Sequence, residues 1–176
     1  MPRPPRSLRR AARIHGLLAV VVAETSSPRR SIYSLLEANR KLVTDAIDRL
    51  SAAQMTVAID GDWSVKDVLT HIASWDELIL PDLRRLQLGR MPTLASNPEE
   101  ATDKWNDLMM AFRRNLPLDQ VLAEFGETRA AFIDALDQID ENQFAGGNVV
   151  GHCQVAALHD WEHARQITEW RAQEGL

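Results

Sequence analysis

The residues best suited to chemistry are two histidines four positions apart, His159 and His163, in the stretch HDWEH. On a helix, residues at this spacing lie about 40° apart around the axis and one turn along it, so both imidazoles reach one metal ion from the same side. His71, in LTHIASW, is the candidate for a third ligand. The alternative is an accidental pair of surface or core histidines, which the spacing alone favours.

The surrounding patterns place these histidines on buried helix faces. In a last helix predicted over about 149–171, His159 and His163 share a side with Ile167, and His71 falls inside the apolar stripe of an earlier helix. Burying three imidazoles without partners is costly, so a shared divalent ion is the expected partner. Neutral imidazole suits zinc, nickel, copper and iron. Three protein ligands would leave coordination positions open, as in catalytic sites.

The helical period of apolar residues extends over most of the chain after residue 30. A capping box, Ser64 with Asp67, predicts where the second long helix begins, and Asp60-Gly61-Asp62 predicts the turn before it. No segment shows the alternation of a strand, so no sheet is expected. The fold class is therefore all-α, a four-helix bundle with a long connection containing a short helix between helices 2 and 3. The long helices are expected at about 31–54, 64–89, 118–140 and 149–171.

Composition limits the partners. A chain of 176 residues suits one domain. Residues 1–30 carry seven arginines and one acid, and the remainder has a net charge of −11, which argues against nucleic-acid binding through phosphates. The single cysteine, Cys153, cannot form an internal disulfide, so a reducing, cytoplasmic location is expected.

Residues 1–30 are expected to be a poorly ordered basic leader, with the domain spanning 31–176. The basic start and short apolar run of residues 1–23 also fit an export signal, which is the alternative to a cytoplasmic location. The apolar run is far shorter than the roughly 20 residues that cross a membrane, so no membrane partner is expected.

The pattern GDWSVKDVLTHIASWDE, followed at a distance by H-x-x-x-H, resembles the DinB-like superfamily of metal-binding four-helix bundles over about 31–171. The segment DKWND is most similar to the ClbS/DfsB branch of that superfamily. This resemblance implies a metal triad at His71, His159 and His163. It also implies pocket-lining roles for Trp105 and Asn106 near the mouth of the bundle, and Trp75 is a further candidate for the pocket lining.

The resemblance also implies a class of function. Metal-dependent members include thiol-dependent transferases and isomerases, which use a low-molecular-weight thiol, whereas the ClbS/DfsB branch includes self-resistance proteins that do not keep the full triad. The expected function is therefore that of a thiol-dependent transferase or detoxifying hydrolase acting on a reactive small molecule, with zinc or nickel as cofactor. The alternative is a non-catalytic stress or self-resistance protein that binds or sequesters a ligand. A homodimer is a further expectation.

Other polar residues near these positions are interpreted as structural. His152 lies about 10 Å along the helix from His159, too far to share an ion, and is expected at the mouth or surface. Cys153 is expected to be a small buried hydrophobe. The acids beside the candidate ligands are expected to form solvated faces, the alternative being that they orient the ligands or act as a general base: Asp76, Glu77, Asp160 and Glu162.

Overall fold

The computed structural model describes residues 27–94 and 99–176. Its elements are α1 (Pro28–Ile47), α2 (Ala52–Thr56), β1 (Ala58–Asp60), β2 (Trp63–Ser64), α3 (Val65–Gln87), α4 (Glu99–Arg113), α5 (Leu118–Asp137), a 3₁₀ turn (Glu141–Ala145) and α6 (Gly147–Glu174). Residues 1–26 of the expected leader lie outside the described residues. Helix α1 begins at Pro28. Ser27 caps its N-terminus, because the Ser27 hydroxyl accepts a hydrogen bond from the Arg30 amide.

The four long helices α1, α3, α5 and α6 form a bundle, which confirms the predicted all-α fold. Helix α1 packs mainly on α6, and α3 packs mainly on α5. Ile32 of α1 and Val149 of α6 share one apolar cluster, while Val43 and Ile167 share the other, so these two helices run parallel. Helix α4 lies in the connection between α3 and α5, as predicted. Among the described helices, none is long and apolar enough to cross a membrane.

The predicted capping box fixes the start of α3. The Ser64 hydroxyl accepts a hydrogen bond from the Asp67 amide, at 3.2 Å, and the Asp67 carboxylate accepts from the Ser64 amide, at 2.9 Å. Both residues are buried, so the exchange satisfies amides that would otherwise lack partners. The cap thereby sets the position of His71, two turns into the helix.

The prediction of one unbroken helix over 31–54 is wrong. Helix α1 ends at Ile47, and Arg49 adopts a left-handed conformation with φ 61°. A second capping box, between Ser51 and Gln54, then begins α2. This S-x-x-Q pattern was present in the sequence, but the continuing apolar period concealed it.

The prediction of no sheet is also wrong, because β1 and β2 form a short antiparallel hairpin. Gly61 makes its turn with φ 58°, a backbone conformation that glycine adopts without a steric penalty. Strands of three and two residues are too short to show an alternating pattern. The hairpin places Trp63 against α3, where its ring contacts that of His71.

The core is divided by a charged layer, which consists of one residue from each long helix: Arg40, Asp76, Arg129 and Asp160. Arg129 donates two hydrogen bonds to Asp76, at 3.0 and 2.9 Å, and pairs with Asp160 at 3.1 Å. Arg40 bridges the same two carboxylates, at 2.8 and 3.2 Å. On every helix the charged residue lies between the members of one apolar cluster and those of the other. Two arginines and two aspartates thus pair with each other inside the bundle.

The buried face of α4 differs from the one that the sequence predicts. The helical spacing of Trp105, Leu108, Met109 and Phe112 predicts that this side of α4 packs over one end of the core, but Leu108 and Phe112 are 47% and 73% exposed. Asn106 and Met110 are buried instead. The apolar residues of α4 recur at helical spacing on two sides, so the period alone did not identify the side that contacts α3.

Candidate functional site

Three histidines converge between two antiparallel helices. His71 extends from α3, and His159 and His163 extend from successive turns of α6. Their ring centroids are separated by 4.8 Å (His71 to His159), 5.0 Å (His71 to His163) and 5.3 Å (His159 to His163). One potential ligand atom from each histidine lies within 4.8 Å of the other two. The structure thus brings together the three residues that the sequence singled out.

The cluster contains polar atoms that lack protein partners. His71 and His163 are 2% and 3% exposed, and the Nε2 atom of each is buried with no hydrogen-bond partner among the described residues. The Nδ1 atom of His159 is likewise buried and has no hydrogen-bond partner among the described residues. Buried nitrogen atoms are nearly always satisfied, because desolvation without a hydrogen bond costs about 1–3 kcal/mol. The unpaired atoms therefore indicate a bound group.

The spacing fits a transition-metal ion. If all three ligand atoms were separated by the full 4.8 Å, a central point would lie about 2.8 Å from each. A zinc–nitrogen bond is about 2.0–2.1 Å, so each imidazole would need to move by well under 1 Å.

Burial keeps the imidazoles in the form that binds metals. Desolvation lowers the pKa of His71 well below its ordinary value, and the neighbouring His159 and His163 lower it further. Desolvation also lowers the pKa of His159, with contributions from His163, Arg129 and Arg40. The pKa of His163 is lowered by burial too, although its hydrogen bond to Gln166 opposes the shift. Neutral imidazoles carry the lone pairs that a metal requires.

These shifts predict that the metal-free protein loses stability in mild acid. Below about pH 6.5 the unfolded chain protonates its histidines while His71 and His159 of the folded cluster stay neutral, so the free energy of unfolding falls by about 1.4 kcal/mol per pH unit for each of these two groups. Asp160 acts oppositely, because burial raises its pKa to about 6 and the folded state takes up a proton first. Between pH 7.5 and 5.5 we expect a net loss of about 1–3 kcal/mol.

Urea denaturation in the presence of a chelator measures this loss. His71→Gln removes one of the titrating imidazoles, so its free energy of unfolding should depend less steeply on pH. Equal stability of the unmodified protein at pH 7.5 and 5.5 would contradict the expectation.

Tryptophans border the cluster on two sides. The ring of Trp63 lies 5.2 Å from that of His71. Trp75 lies 5.0 Å from His159, edge to face, and its indole donates a 3.0 Å hydrogen bond to the side-chain oxygen of Asn106. His159 and Trp75 are each partly exposed.

The three residues expected to line a pocket thus occupy different positions. Trp75 contacts the histidines directly. Asn106, which is buried, joins α4 to Trp75. Trp105 is partly exposed, and its buried Nε1 has no hydrogen-bond partner among the described residues. A shallow depression lies elsewhere, at the beginning of α1, and is lined by Ser27, Arg29, Arg30 and Tyr33.

Two acids assigned to solvated faces are buried, so that prediction is wrong for them. Asp76 and Asp160 are 1% and 0% exposed and belong to the charged layer, because each faces two arginines across the bundle. Glu77 is exposed enough to contact solvent and pairs with Arg113 at 2.6 Å. Glu162 is partly exposed, and burial raises its pKa.

His152 and Cys153 also lie in the interior. The expectation of a surface His152 is wrong: it is 7% exposed, its Nδ1 lies 2.7 Å from the Asn148 carbonyl, and its Nε2 lies 3.3 Å from Asp82. It lies outside the histidine cluster. Cys153 is fully buried, as predicted, and burial raises the pKa of its thiol to about 12, which suppresses the reactive thiolate.

The sequence interpretation missed two polar residues beside His163. The side-chain oxygen of Gln166 lies 2.9 Å from Nδ1 of His163, and the Gln166 amide donates to Asp60 at 3.0 Å. The i, i+3 spacing of His163 and Gln166 was a usable signal. The contribution of Asp60 had no local signal, because the hairpin that carries it was not predicted.

The comparisons with known proteins agree with this geometry. The family model described as the DinB superfamily matches residues 35–167, a span that contains all three histidines and the four members of the charged layer. Searches of the curated proteins and of the solved structures found no match. Since the family model covers well over half of the sequence, this chain belongs to the DinB superfamily.

Proposed function

We propose that His71, His159 and His163 bind one divalent transition-metal ion, zinc or nickel, and that the site acts on a reactive small molecule. The observation that supports this most strongly is the convergence of three imidazoles whose buried nitrogens have no protein partner. Imidazole nitrogen is a preferred ligand of both ions. Among the described residues the cluster has three members, so coordination positions would stay open for a substrate.

The chain's own residues define the surroundings of those open positions. Trp63 and Trp75 cover the cluster with apolar rings and limit access of bulk water. The Asn106 side chain holds the indole of Trp75 in place. The partly exposed edge at His159 and Trp75 is the route by which a small molecule would enter.

The proposed reaction is a thiol-dependent transfer or a hydrolysis that detoxifies an electrophile. A bound metal would supply Lewis acidity, either to hold a thiol sulfur as thiolate or to polarise a substrate oxygen. The protein supplies neutral ligands in low-dielectric surroundings. It supplies no reactive thiol of its own, because Cys153 is buried and protonated. A low-molecular-weight thiol would therefore come from solution.

Metal analysis tests the site. The purified protein, dialysed against zinc or nickel, is expected to retain about one equivalent, and His163→Ala is expected to retain little. His152→Gln is the matched control, because it also removes a buried histidine of α6 but one outside the cluster. Circular dichroism checks that each variant is folded. Less than a tenth of an equivalent in the unmodified protein would refute the metal site.

Turnover tests the reaction. The metal-loaded protein is mixed with glutathione, mycothiol or bacillithiol and the electrophile monochlorobimane, and the fluorescent conjugate is followed over time. We expect faster conjugation with the unmodified protein than with His163→Ala. Equal rates would reject thiol transfer to this electrophile.

The second candidate function is binding or sequestration without turnover, as in the ClbS/DfsB branch. The hydrogen bond from Trp75 to Asn106 favours it, because it ties the Trp-Asn segment of α4 to the histidine cluster. For this function, a ligand should quench the tryptophan fluorescence of the protein stoichiometrically and be recovered unchanged. Recovery of a chemically altered ligand would favour the enzyme.

A further inference from the structure

We infer that Asp60 and Gln166 are positioning residues that hold His163 in the tautomer with Nε2 free for the metal. The inference rests on the proposed metal site. It concerns three side chains linked by hydrogen bonds: Nδ1 of His163 lies 2.9 Å from Oε1 of Gln166, and Nε2 of Gln166 lies 3.0 Å from Oδ2 of Asp60. The series connects β1 to α6.

The carboxylate sets the direction of the whole series. A carboxylate oxygen only accepts hydrogen bonds, so the Gln166 amide nitrogen must face Asp60. The Gln166 oxygen then faces His163 and can only accept, so the hydrogen must lie on Nδ1 of His163. In the neutral ring Nε2 is consequently unprotonated. The tautomer follows from the contact chemistry rather than from an arbitrary choice of hydrogen position.

This arrangement prepares His163 as a ligand. Its Nε2 is the buried atom that lacks a partner, and His163 is a member of the converging cluster. The free imidazole would distribute its hydrogen over both nitrogens and rotate about its side-chain bonds. Metal binding would have to restrict this freedom at an entropic cost. Fixing the hydrogen and the ring plane in advance removes that cost, as outer hydrogen bonds do for ligating histidines in general.

The series also gives the hairpin a role in the site. Asp60 ends β1, and the turn at Gly61 leads directly to Trp63, which contacts His71. The hairpin therefore acts on two ligands, through Asp60 on His163 and through Trp63 on His71. Both effects depend on a turn conformation that glycine at position 61 allows.

Zinc titration measures the contribution of the series. Gln166→Ala is expected to weaken zinc binding by about 10–100-fold, the usual effect of removing an outer-shell partner. Glu169→Ala is the matched control on the same helix: its partner is Arg165, both side chains are exposed, and zinc affinity should stay unchanged. Thermal unfolding of the metal-free variants shows whether any loss reflects damage to the fold.

A paired substitution separates positioning from packing. In Asp60→Asn combined with Gln166→Glu, the introduced carboxylate accepts from both His163 Nδ1 and the introduced amide. The hydrogen bond between positions 60 and 166 reverses its direction, but His163 still faces an acceptor and keeps its hydrogen on Nδ1. We expect zinc affinity within about threefold of the unmodified protein, or tighter. Asp60→Asn alone should weaken binding, because an amide can present either its oxygen or its nitrogen to Gln166.

The tautomer is read independently of metal by ¹⁵N–¹H correlation spectra of the imidazole rings. In the metal-free protein at neutral pH, His163 is expected to carry its hydrogen on Nδ1. A hydrogen on Nε2, or a Gln166→Ala variant that binds zinc as tightly as the unmodified protein, overturns the inference. If the unmodified protein binds no zinc, the proposed metal site fails and this inference fails with it, whereas intact zinc binding with an unaffected Gln166→Ala variant refutes the positioning role alone.

Discussion

Replacing Asp76 with alanine is expected to lower the free energy of unfolding by about 3–5 kcal/mol. Asp76 is 1% exposed and accepts hydrogen bonds from Arg129 and Arg40. Its removal would leave two guanidinium groups to share the single carboxylate of Asp160. An uncompensated buried charge costs far more than the loss of an exposed ion pair, because water cannot solvate it.

Chemical denaturation at pH 7 measures the effect of this substitution. Asp45→Ala is the control, since it removes an exposed aspartate that pairs with Lys41 and should change the free energy of unfolding by about 0.5 kcal/mol or less. A loss in Asp76→Ala no larger than that of the control would show that the charged layer does not stabilise the bundle. His159 lies beside this layer, so Asp76→Ala should also weaken zinc binding.

Saturating zinc is expected to raise the free energy of unfolding of the unmodified protein by about 4 kcal/mol at a concentration a thousandfold above the Kd. The folded chain brings three imidazoles together, whereas the unfolded chain separates His71 from His159 and His163 by more than eighty residues. The ion therefore binds the folded state far more tightly. Thermal denaturation with increasing zinc measures the gain.

His71→Ala should lose nearly all of this zinc-dependent gain, because only the pair on α6 remains. Each variant is compared with itself with and without zinc, so any direct effect of the substitution on folding cancels. A gain in His71→Ala equal to that of the unmodified protein would place the bound ion elsewhere. His152→Gln should show the same zinc-dependent gain as the unmodified protein, since His152 is outside the cluster.

The long helices and the buried faces that carry the three histidines were predictable because their determinants are local and periodic, whereas the convergence of His71 with the pair on α6 was implied by the family resemblance. Ser64 and Asp67 mark the start of α3 within four residues, and His159 and His163 share a helix face by spacing alone. His71 was found because it interrupts an apolar stripe. In each case the residues that matter lie within one or two helical turns of one another.

The charged layer has the same kind of local signal in the sequence. Arg40 follows Leu36 by four positions and precedes Val43 by three, so it lies on the buried stripe of α1. Arg129 lies likewise between Phe125 and Phe132. Such positions indicate buried charges.

The pairing itself could not be predicted from one sequence. Arg129 and Asp76 are 53 residues apart, and Arg40 and Asp160 are 120 apart. Their contacts depend on how the helices are arranged, which local periodicity does not specify. The contact between Asp60 and Gln166 has the same origin, because it spans 106 residues.

The parallel arrangement of α1 and α6 has a consequence for how the protein is made. Helix α1 packs mainly on α6, although more than a hundred residues separate them along the chain. During synthesis α1 therefore emerges from the ribosome long before its main partner exists. Until α6 is made, the apolar face of α1 stays exposed to solvent or is bound by chaperones. Two of the three histidines arrive with that same late helix. Closure of the core and assembly of the histidine cluster thus belong to one event, the docking of α6.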